Sequence, residues 1–466
     1  MSILTSLSIA ARAMQAQQQA IQTTSHNIAN VATPGYSRQR LNLTTAFPIT
    51  EGQLLLGNGV SVDGVTNVVN RFAEAELLGL NSTLGFTQAE ARALGGIQET
   101  FPVSGGINDA LSAFFNAWSA LSNNPGGQAE RAALIGKATA LGNQFQQARS
   151  LLTAGQYDAD KGAVQVVGKI NSVLSQIADY NRQIAAAESG GERANDLRDQ
   201  RQVLLQEVSR LTGATVIGGE QGEQISVLAG GLLLVSGDRA ATLDASNLGP
   251  SGLHTVQYQS PEGLTFDATA LFTKGELGGV LTMRDSEIPG MIGKLDQLAK
   301  TLVDEVNAQH ALGFDINGAA GGNFFNPIGA VPGAANSMQV TAAVAADPGL
   351  IAAAQTAAGA PGDNGNALAM VNLQNSAIPA LGNKTMSDYY LALVQDVGTK
   401  AQSAQQNLDF QESLLSQAQA RRDGFSGVSL EEEMTKLILF QRAFEASSVL
   451  VRTGDEMYQT ILAMVK

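Results

Sequence analysis

Large apolar residues recur at every seventh position at both ends of this chain, and the middle carries no such series. Leu7, Met14, Ile21 and Ile28 form one series; Leu430, Leu437, Phe444, Val451, Tyr458 and Val465 form the other. A sustained heptad repeat predicts a helix that lays its stripe against another helix in a coiled coil. Two such helices at opposite ends predict that the termini meet each other, or that both meet neighbouring copies. Termini are commonly loose and idle, so patterned ends point toward assembly rather than catalysis.

The chain has 466 residues, room for two or three domains at ~100–200 residues each. Aromatic residues are only 5% of it, so its cores must be built largely from Ala, Leu, Val and Ile, which favours close helix packing over large pockets. There is no Cys, which excludes disulfides, thiolate metal sites and cysteine nucleophiles and suits a chain that passes from cytoplasm to exterior. The net charge is −14. Residues 1–40 carry Arg12, Arg38 and Arg40 and no acid, and residues 429–466 are close to neutral, so the acidity lies in the middle. The ends can approach each other, and an acidic middle repels polyanions, so nucleic acid is not an expected partner. No stretch reaches the ~20 apolar residues of a membrane span. Gln15, Gln17, Gln18 and Gln19 interrupt any apolar core of a cleavable signal peptide.

Pro34 and Gly35 predict a type II turn over 33–36, with the first helix ending near Asn30. Residues 41–69 read as extended, with a turn at Asn58-Gly59. From Arg71 to Leu211 the pattern is helical, with breaks expected at Gly95-Gly96, Pro102, 124–127 and Gly190-Gly191. Short β-forming runs at Thr215–Ile217, Ile225–Leu228, Leu232–Val235 and His254–Tyr258 predict an all-β insert ending near Met283. Helical signal returns over Ile288–Ala311 and then over Ser387–Arg422 and Ser429–Val465, while 313–383 reads as weakly structured Gly/Ala/Asn loops. The expected fold is multidomain and mainly α with an all-β insert. Residues 1–45 with 425–466 would form a terminal coiled-coil domain. Residues 46–212 with 284–424 would form a long-helix bundle (327–383 as irregular loops), and 213–283 an outer β domain.

Chemistry-bearing motifs are scarce. The three histidines, His26, His254 and His310, come without metal-ligand spacing such as HExxH. His310 reads as a solvated helix end and His26 as a packing or hydrogen-bonding residue. Asp315-Ile316-Asn317-Gly318 matches a fragment of a calcium loop but lacks the later ligands, and reads as a turn. With no Walker loop and no GxGxxG, no catalytic, metal or cofactor-binding residue is assigned, and no cofactor is expected. The columns beside the N-terminal stripe are polar (Gln17 with Thr24, Gln18 with Ser25), and Gly454 weakens the last helix by roughly 1 kcal/mol. The ends are therefore expected to be weakly held in a single chain and to complete themselves on assembly. A membrane-surface helix would need a dense basic face, and residues 1–37 offer only Arg12 among Lys and Arg.

Three blocks carry a family resemblance. Asn27-Ile28-Ala29-Asn30-Val31-Ala32-Thr33-Pro34-Gly35-Tyr36-Ser37-Arg38-Gln39 resembles the N-terminal signature of flagellar axial proteins, shared by rod, hook and first hook-associated proteins. Its diagnostic positions here are Asn27, Ala29, Asn30, Thr33, Pro34, Gly35, Tyr36 and Arg38. Ser426-Gly427-Val428-Ser429-Leu430-Glu431-Glu432-Glu433-Met434 resembles the family of first hook-associated proteins, where rod and hook proteins typically show an Asn-Val-Asp version. Phe444 and Glu445 depart from the Tyr and Gln usual in the block that follows. The third block runs from Gly278-Gly279-Val280-Leu281 through Arg284-Asp285 and Leu295-Asp296-Gln297-Leu298-Ala299 to Asn323-Phe324-Phe325, with Gly275-Glu276 departing from a usual Gly-Gly.

The resemblance implies a structural component of the flagellum that connects hook to filament. It implies export through the flagellar type III channel, guided by an uncleaved N-terminal segment, with a cytoplasmic chaperone on the C-terminal helix beforehand. It implies a helical layer of the protein with itself, between hook protein and the third hook-associated protein, extracellular and without membrane insertion. The alternatives are another axial protein of hook or rod type, or a flagellar scaffold carrying an adhesive outer domain.

Overall fold

The computed structural model describes residues 3–51, 54–98, 101, 105–218 and 224–464. Two positions singled out by sequence, Val465 and the break at Pro102, lie outside them. Helix α1 (Ile3–Ala29) stops just before the Pro-Gly turn. There the Tyr36 N–H donates to Thr33 O at 3.2 Å and Gly35 takes φ +77°, as a type II turn requires. The chain returns through β1 (Gln39–Thr45), the hairpin β2 (Ile49–Glu51) and β3 (Leu54–Leu56), and β4 (Val60–Asn67). Strands β1 and β4 pair antiparallel, with a bulge between Asn42 and Leu43.

Next come α2 (Arg71–Gln98), α3 (Ile107–Asn123), α4 (Gln128–Ala187) and α5 (Asn195–Thr212). The break expected at Gly95-Gly96 does not occur. Leu94 and Ile97 are buried on one face there, and that burial outweighs the ~1 kcal/mol cost of a helical glycine. Helix α4 has 60 residues, ~90 Å of rise, and it joins two separate cores. Its first half, with Phe145 and Leu152, packs with Trp118, Phe114, Phe324 and Phe325. Its second half, with Ile170 and Ile177, packs with α5 and the strands that follow.

Those strands are β5 (Thr215–Ile217), β6 (Ser226–Ala229), β7 (Leu232–Ser236) and β8 (Arg239–Ala240), in spatial order, then β9 (Thr242–Asp244), β10 (Gln257–Gln259) and β11 (Thr265–Asp267), a second antiparallel sheet in the order β11-β10-β9. The β-rich stretch is shorter than 213–283. Residues Gly275–Thr282 form α6, which runs through one π turn (Met283–Glu287) into α7 (Ile288–Ala311). Pro289 lies just past that turn and has no N–H to return to residue 285, so the wider turn absorbs the proline. Arg284 on the π turn donates to Asp160 on α4 (2.9 Å) and to His254 O (2.6 Å), and Asp160 also accepts from the His254 N–H (2.9 Å). This clamp roots the β-rich segment on the long helix.

Residues 327–383 are not loosely structured as expected. They hold α8 (Ala334–Ser337), α9 (Ala342–Ala346) and α10 (Gly365–Leu373), and bury Ala334, Ala335, Met338, Ile351, Ala367 and Met370 in the first core. Remote side chains satisfy their backbone. Buried Asp296 accepts from Gly333 N–H (2.8 Å) and Ala335 N–H (2.9 Å), and buried Arg131 donates to Ile351 O (2.7 Å). His310 is likewise not a solvated helix end. It is fully buried, with Nδ1 2.7 Å from Gly322 O and Nε2 accepting the Ala352 N–H at 2.9 Å. Burial pushes its pKa down, in keeping with a neutral ring. Asp315 makes an Asx turn, Oδ1 accepting from Asn317 and Ala319 N–H, both at 2.8 Å.

The chain closes with α11 (Met386–Ser426) and α12 (Leu430–Met464). Helix makes up 66% of the described residues, with small antiparallel sheets placed between the long terminal helices. No helix among the described residues is long and apolar enough to cross a membrane.

Candidate assembly site at the joined termini

Helices α1 and α12 pack antiparallel on each other, with Asn27 bonded to Glu433 at one end and Leu7 against Gly454 at the other. The seam differs from the expected one. Leu7, Met14, Ile21 and Ile28 are only half-buried; the fully buried positions of α1 are small or polar, namely Ala10, Ala16, Ala20, Thr24 and Asn27. On α12, Leu437, Phe444 and Val451 are half-buried, Leu430 and Tyr458 exposed, and the buried residues are Glu433 and Ser447. Small side chains let two helices approach closely, so the heptad residues flank the seam. A Cβ at Gly454 would overlap Leu7, which gives that helical glycine its reason. Of the polar columns beside the N-terminal stripe, Gln17 is half-buried and Thr24 buried against the expectation, whereas Gln18 and Ser25 are exposed as expected.

The family-signature turn forms a collar where six segments converge. Asn27 is its centre. Its amide donates to Gln39 O (2.9 Å) and to Glu433 Oε2 (2.9 Å), and its Oδ1 accepts from Tyr36 OH (2.8 Å) and Gln39 N–H (2.9 Å). All four amide contacts of one buried Asn are thus used to join α1, the turn, β1 and α12. Arg422 of α11 donates to Gly35 O (2.9 Å), Ser37 Oγ (3.0 Å) and Glu74 Oε1 (3.0 Å). Arg38 N–H donates to Ser426 O (2.7 Å), and the Arg38 guanidinium to Glu432 (2.9 Å). Gly35 has a second reason besides its positive φ, since a Cβ there would overlap the Val203 side chain of α5. Asn30 and Thr33 close the end of α1, Asn30 donating to His26 O (3.0 Å) and accepting from Thr33 Oγ1 (3.1 Å). Ala29 and Pro34 are exposed. His26 reaches Asp196 at 3.2 Å.

Two titratable groups are strongly perturbed here. Burial, then Asp196, Asp199 and Glu433, push the Tyr36 phenol well above its ordinary range, so it stays a donor to Asn27. Burial pushes the Asp199 carboxyl up to about 6, against the opposing pull of the Ser37 N–H, the Asn67 amide, the Ser37 hydroxyl and Arg422. A folded-state value above the ordinary 3.8 means that the collar holds a proton the unfolded chain releases. Ionised Asp199 therefore costs stability at neutral pH, and this cost is relieved as pH falls through about 6. Asp199→Asn should stabilise the chain at about pH 7.5 by roughly 1–3 kcal/mol, and the gain should vanish near pH 4. Thermal melts of both proteins across that range test this; a destabilised variant at neutral pH would refute it.

Beside the seam with α1, α12 carries an open apolar column. Leu439 is 62% and Leu450 64% exposed. Met457, Ile461 and Met464 continue the same helical face toward the C-terminus and are exposed too. Sequence reasoning missed this column. Its spacing was readable, but the heptad series drew attention to the neighbouring one.

Residues 7–36 match the family described as Flagella basal body rod protein, and residues 424–464 the one described as Flagellar basal body rod FlgEFG protein C-terminal. The joined ends are thus of the flagellar axial kind. Residues 96–325 match the Flagellar hook-associated protein FlgK helical domain. Flagellar hook-associated protein 1 of Bacillus subtilis (strain 168) is 31% identical over 98% of this chain and 97% of its own length. The protein of that name from Salmonella typhimurium is 28% identical over 96% of this chain and 98% of its own. The solved hook junction protein FlgK from Burkholderia pseudomallei shares the fold, with a TM-score of 0.66 at 18% identity, over 76% of this chain and all of that one. The chain belongs to the flagellar hook-associated protein 1 family, structural components of the flagellum at the hook–filament junction.

Proposed function

We propose that this chain assembles with copies of itself into a layer between hook protein and the third hook-associated protein. The terminal helices line the inside of the axial tube and the acidic middle faces outward. The observation that carries this reading is the open apolar face of α12, running from Leu439 to Met464 beside a seam already filled by α1. A second ring of helices against that face would bury it. Before assembly the same face needs cover, which supports a cytoplasmic chaperone on α12. Export through the flagellar type III channel fits a chain without Cys, since no disulfide has to be avoided or broken in transit. The heptad residues Leu7, Met14, Ile21, Ile28, Leu437, Phe444 and Val451, half-buried at the seam margins, would be completed by neighbouring subunits.

Cells lacking this chain should carry hooks without filaments and release filament protein into the medium. The full chain should restore filaments, and a chain ending before Leu430 should not. Filaments of normal number on hooks in the deletion strain would refute the junction role; restoration by the truncated chain would refute the role of α12.

A further inference from the structure

Beneath the collar lies a cavity of about 470 Å³ between α2, α5 and the base of the first β-rich sheet. Its charge is opposite to that of the chain. Arg71, Arg193, Arg198 and Arg201 line it against Glu74 and Asp199, whereas the chain as a whole carries −14. Both acids are already engaged, Glu74 by Arg422, Gln202 and Gln206, and Asp199 by Ser37 and Asn67.

Arg201 is the anomaly. It is 6% exposed yet has no carboxylate partner among the described residues. One nitrogen, Nη1, donates to Asn181 Oδ1 at 2.8 Å, and that amide is itself tied to Ile225 O and Gly237 O. The buried Nε has no acceptor. Burial, with Arg198 adding repulsion, pushes the guanidinium down to about 10. Arg198 is held by a two-point bond to Glu188, both at 2.6 Å, so it cannot swing away. A buried cation with no carboxylate partner among the described residues is costly, and a guanidinium edge turned to the cavity matches a carboxylate or phosphate oxygen pair.

We propose that this cavity is a binding site for a small oxyanion, a carboxylate or a phosphate, held by Arg201 with Arg198 and Arg193. The pocket adjoins Ser37 and Asn67 of the collar and Val216 and Ile225 of the sheet. Occupancy would fasten the β-rich segment to the joined termini.

Thermal melts of the full chain in sodium phosphate, sodium succinate and sodium chloride at matched ionic strength test it. Phosphate or succinate should raise the midpoint saturably over chloride. A response to phosphate alone identifies a free inorganic oxyanion as the ligand class, and one to succinate alone a carboxylate. Arg201→Met should melt at or above wild type in chloride, because it removes a buried charge with no carboxylate partner among the described residues, and should lose the anion response. Arg193→Gln, at an exposed position, should leave the chloride midpoint unchanged and weaken the half-saturation about threefold to tenfold. No response to either anion in the wild type overturns the proposal. So does an anion response that survives Arg201→Met, or an Arg201→Met protein that melts well below wild type in chloride.

Discussion

Arg422→Met is expected to undock both terminal helices from the body while the two inner cores stay folded. Arg422 is buried, and it bonds the backbone of the signature turn at Gly35 and the carboxylate of Glu74 on α2 at once. Methionine preserves much of the stem volume but leaves buried Glu74 without its ion partner, retaining only the amides of Gln202 and Gln206. Removing one member of a buried pair costs about 3–5 kcal/mol, because the other charge stays buried. The loss falls on the collar: Gly35, Tyr36 and Ser37 lose their hold on α11, and the Asn27–Glu433 link that joins α1 to α12 rests on the same turn. Hydrogen exchange should rise sharply over α1, 33–38 and α12 and stay slow in α4 and α7. Swimming should be lost, with hooks left bare. Unchanged exchange over the first forty residues would show that the turn holds without Arg422.

How far the sequence discloses this arrangement depends on the range of the interaction. The first turn was legible because Pro34 and Gly35 act within four residues, and α7 was legible because its apolar face repeats every helical turn. The segment 327–383 was opaque for the opposite reason. Its order is imposed by Asp296 and Arg131, whose bonds to Gly333, Ala335 and Ile351 have no local trace. His310 was misread on the same account, since its acceptors and donors lie at Gly322 and Ala352. Gly95 and Gly96 looked like breakers because propensity is local, whereas the burial of Leu94 and Ile97 is not. At the terminal site the signature residues lie in the turn that α1, α11 and α12 share, but periodicity could not say which column faces α12. A heptad of large residues and a neighbouring column of Ala16, Ala20 and Thr24 fit one helix equally well. Closer approach of the backbones favours the small column.

That choice leaves the large residues available to other subunits, and it sets the second expected result. Leu439→Asp combined with Leu450→Asp should abolish attachment of the filament while leaving the monomer almost unchanged. Both side chains are more than half exposed in the single chain, so the monomer loses little burial. Aspartate at two helix-interior sites costs up to about 0.7 kcal/mol each in propensity. In the assembled tube the same positions would sit between packed helices. There each leucine contributes up to ~1.5–3 kcal/mol of burial, and an unpaired carboxylate adds several kcal/mol more of desolvation cost. Multiplied over every subunit of a ring, a loss of that size leaves no stable layer. The expected readings are a melting curve and a circular dichroism spectrum close to wild type, export into the medium, and hooks without filaments. Phe444→Asp is the contrasting variant: Phe444 is half-buried beside α1, so it should weaken the seam of the monomer as well. Should the double variant support normal swimming, the open face of α12 takes no part in the junction, and the contacts between subunits must be sought on the heptad residues alone.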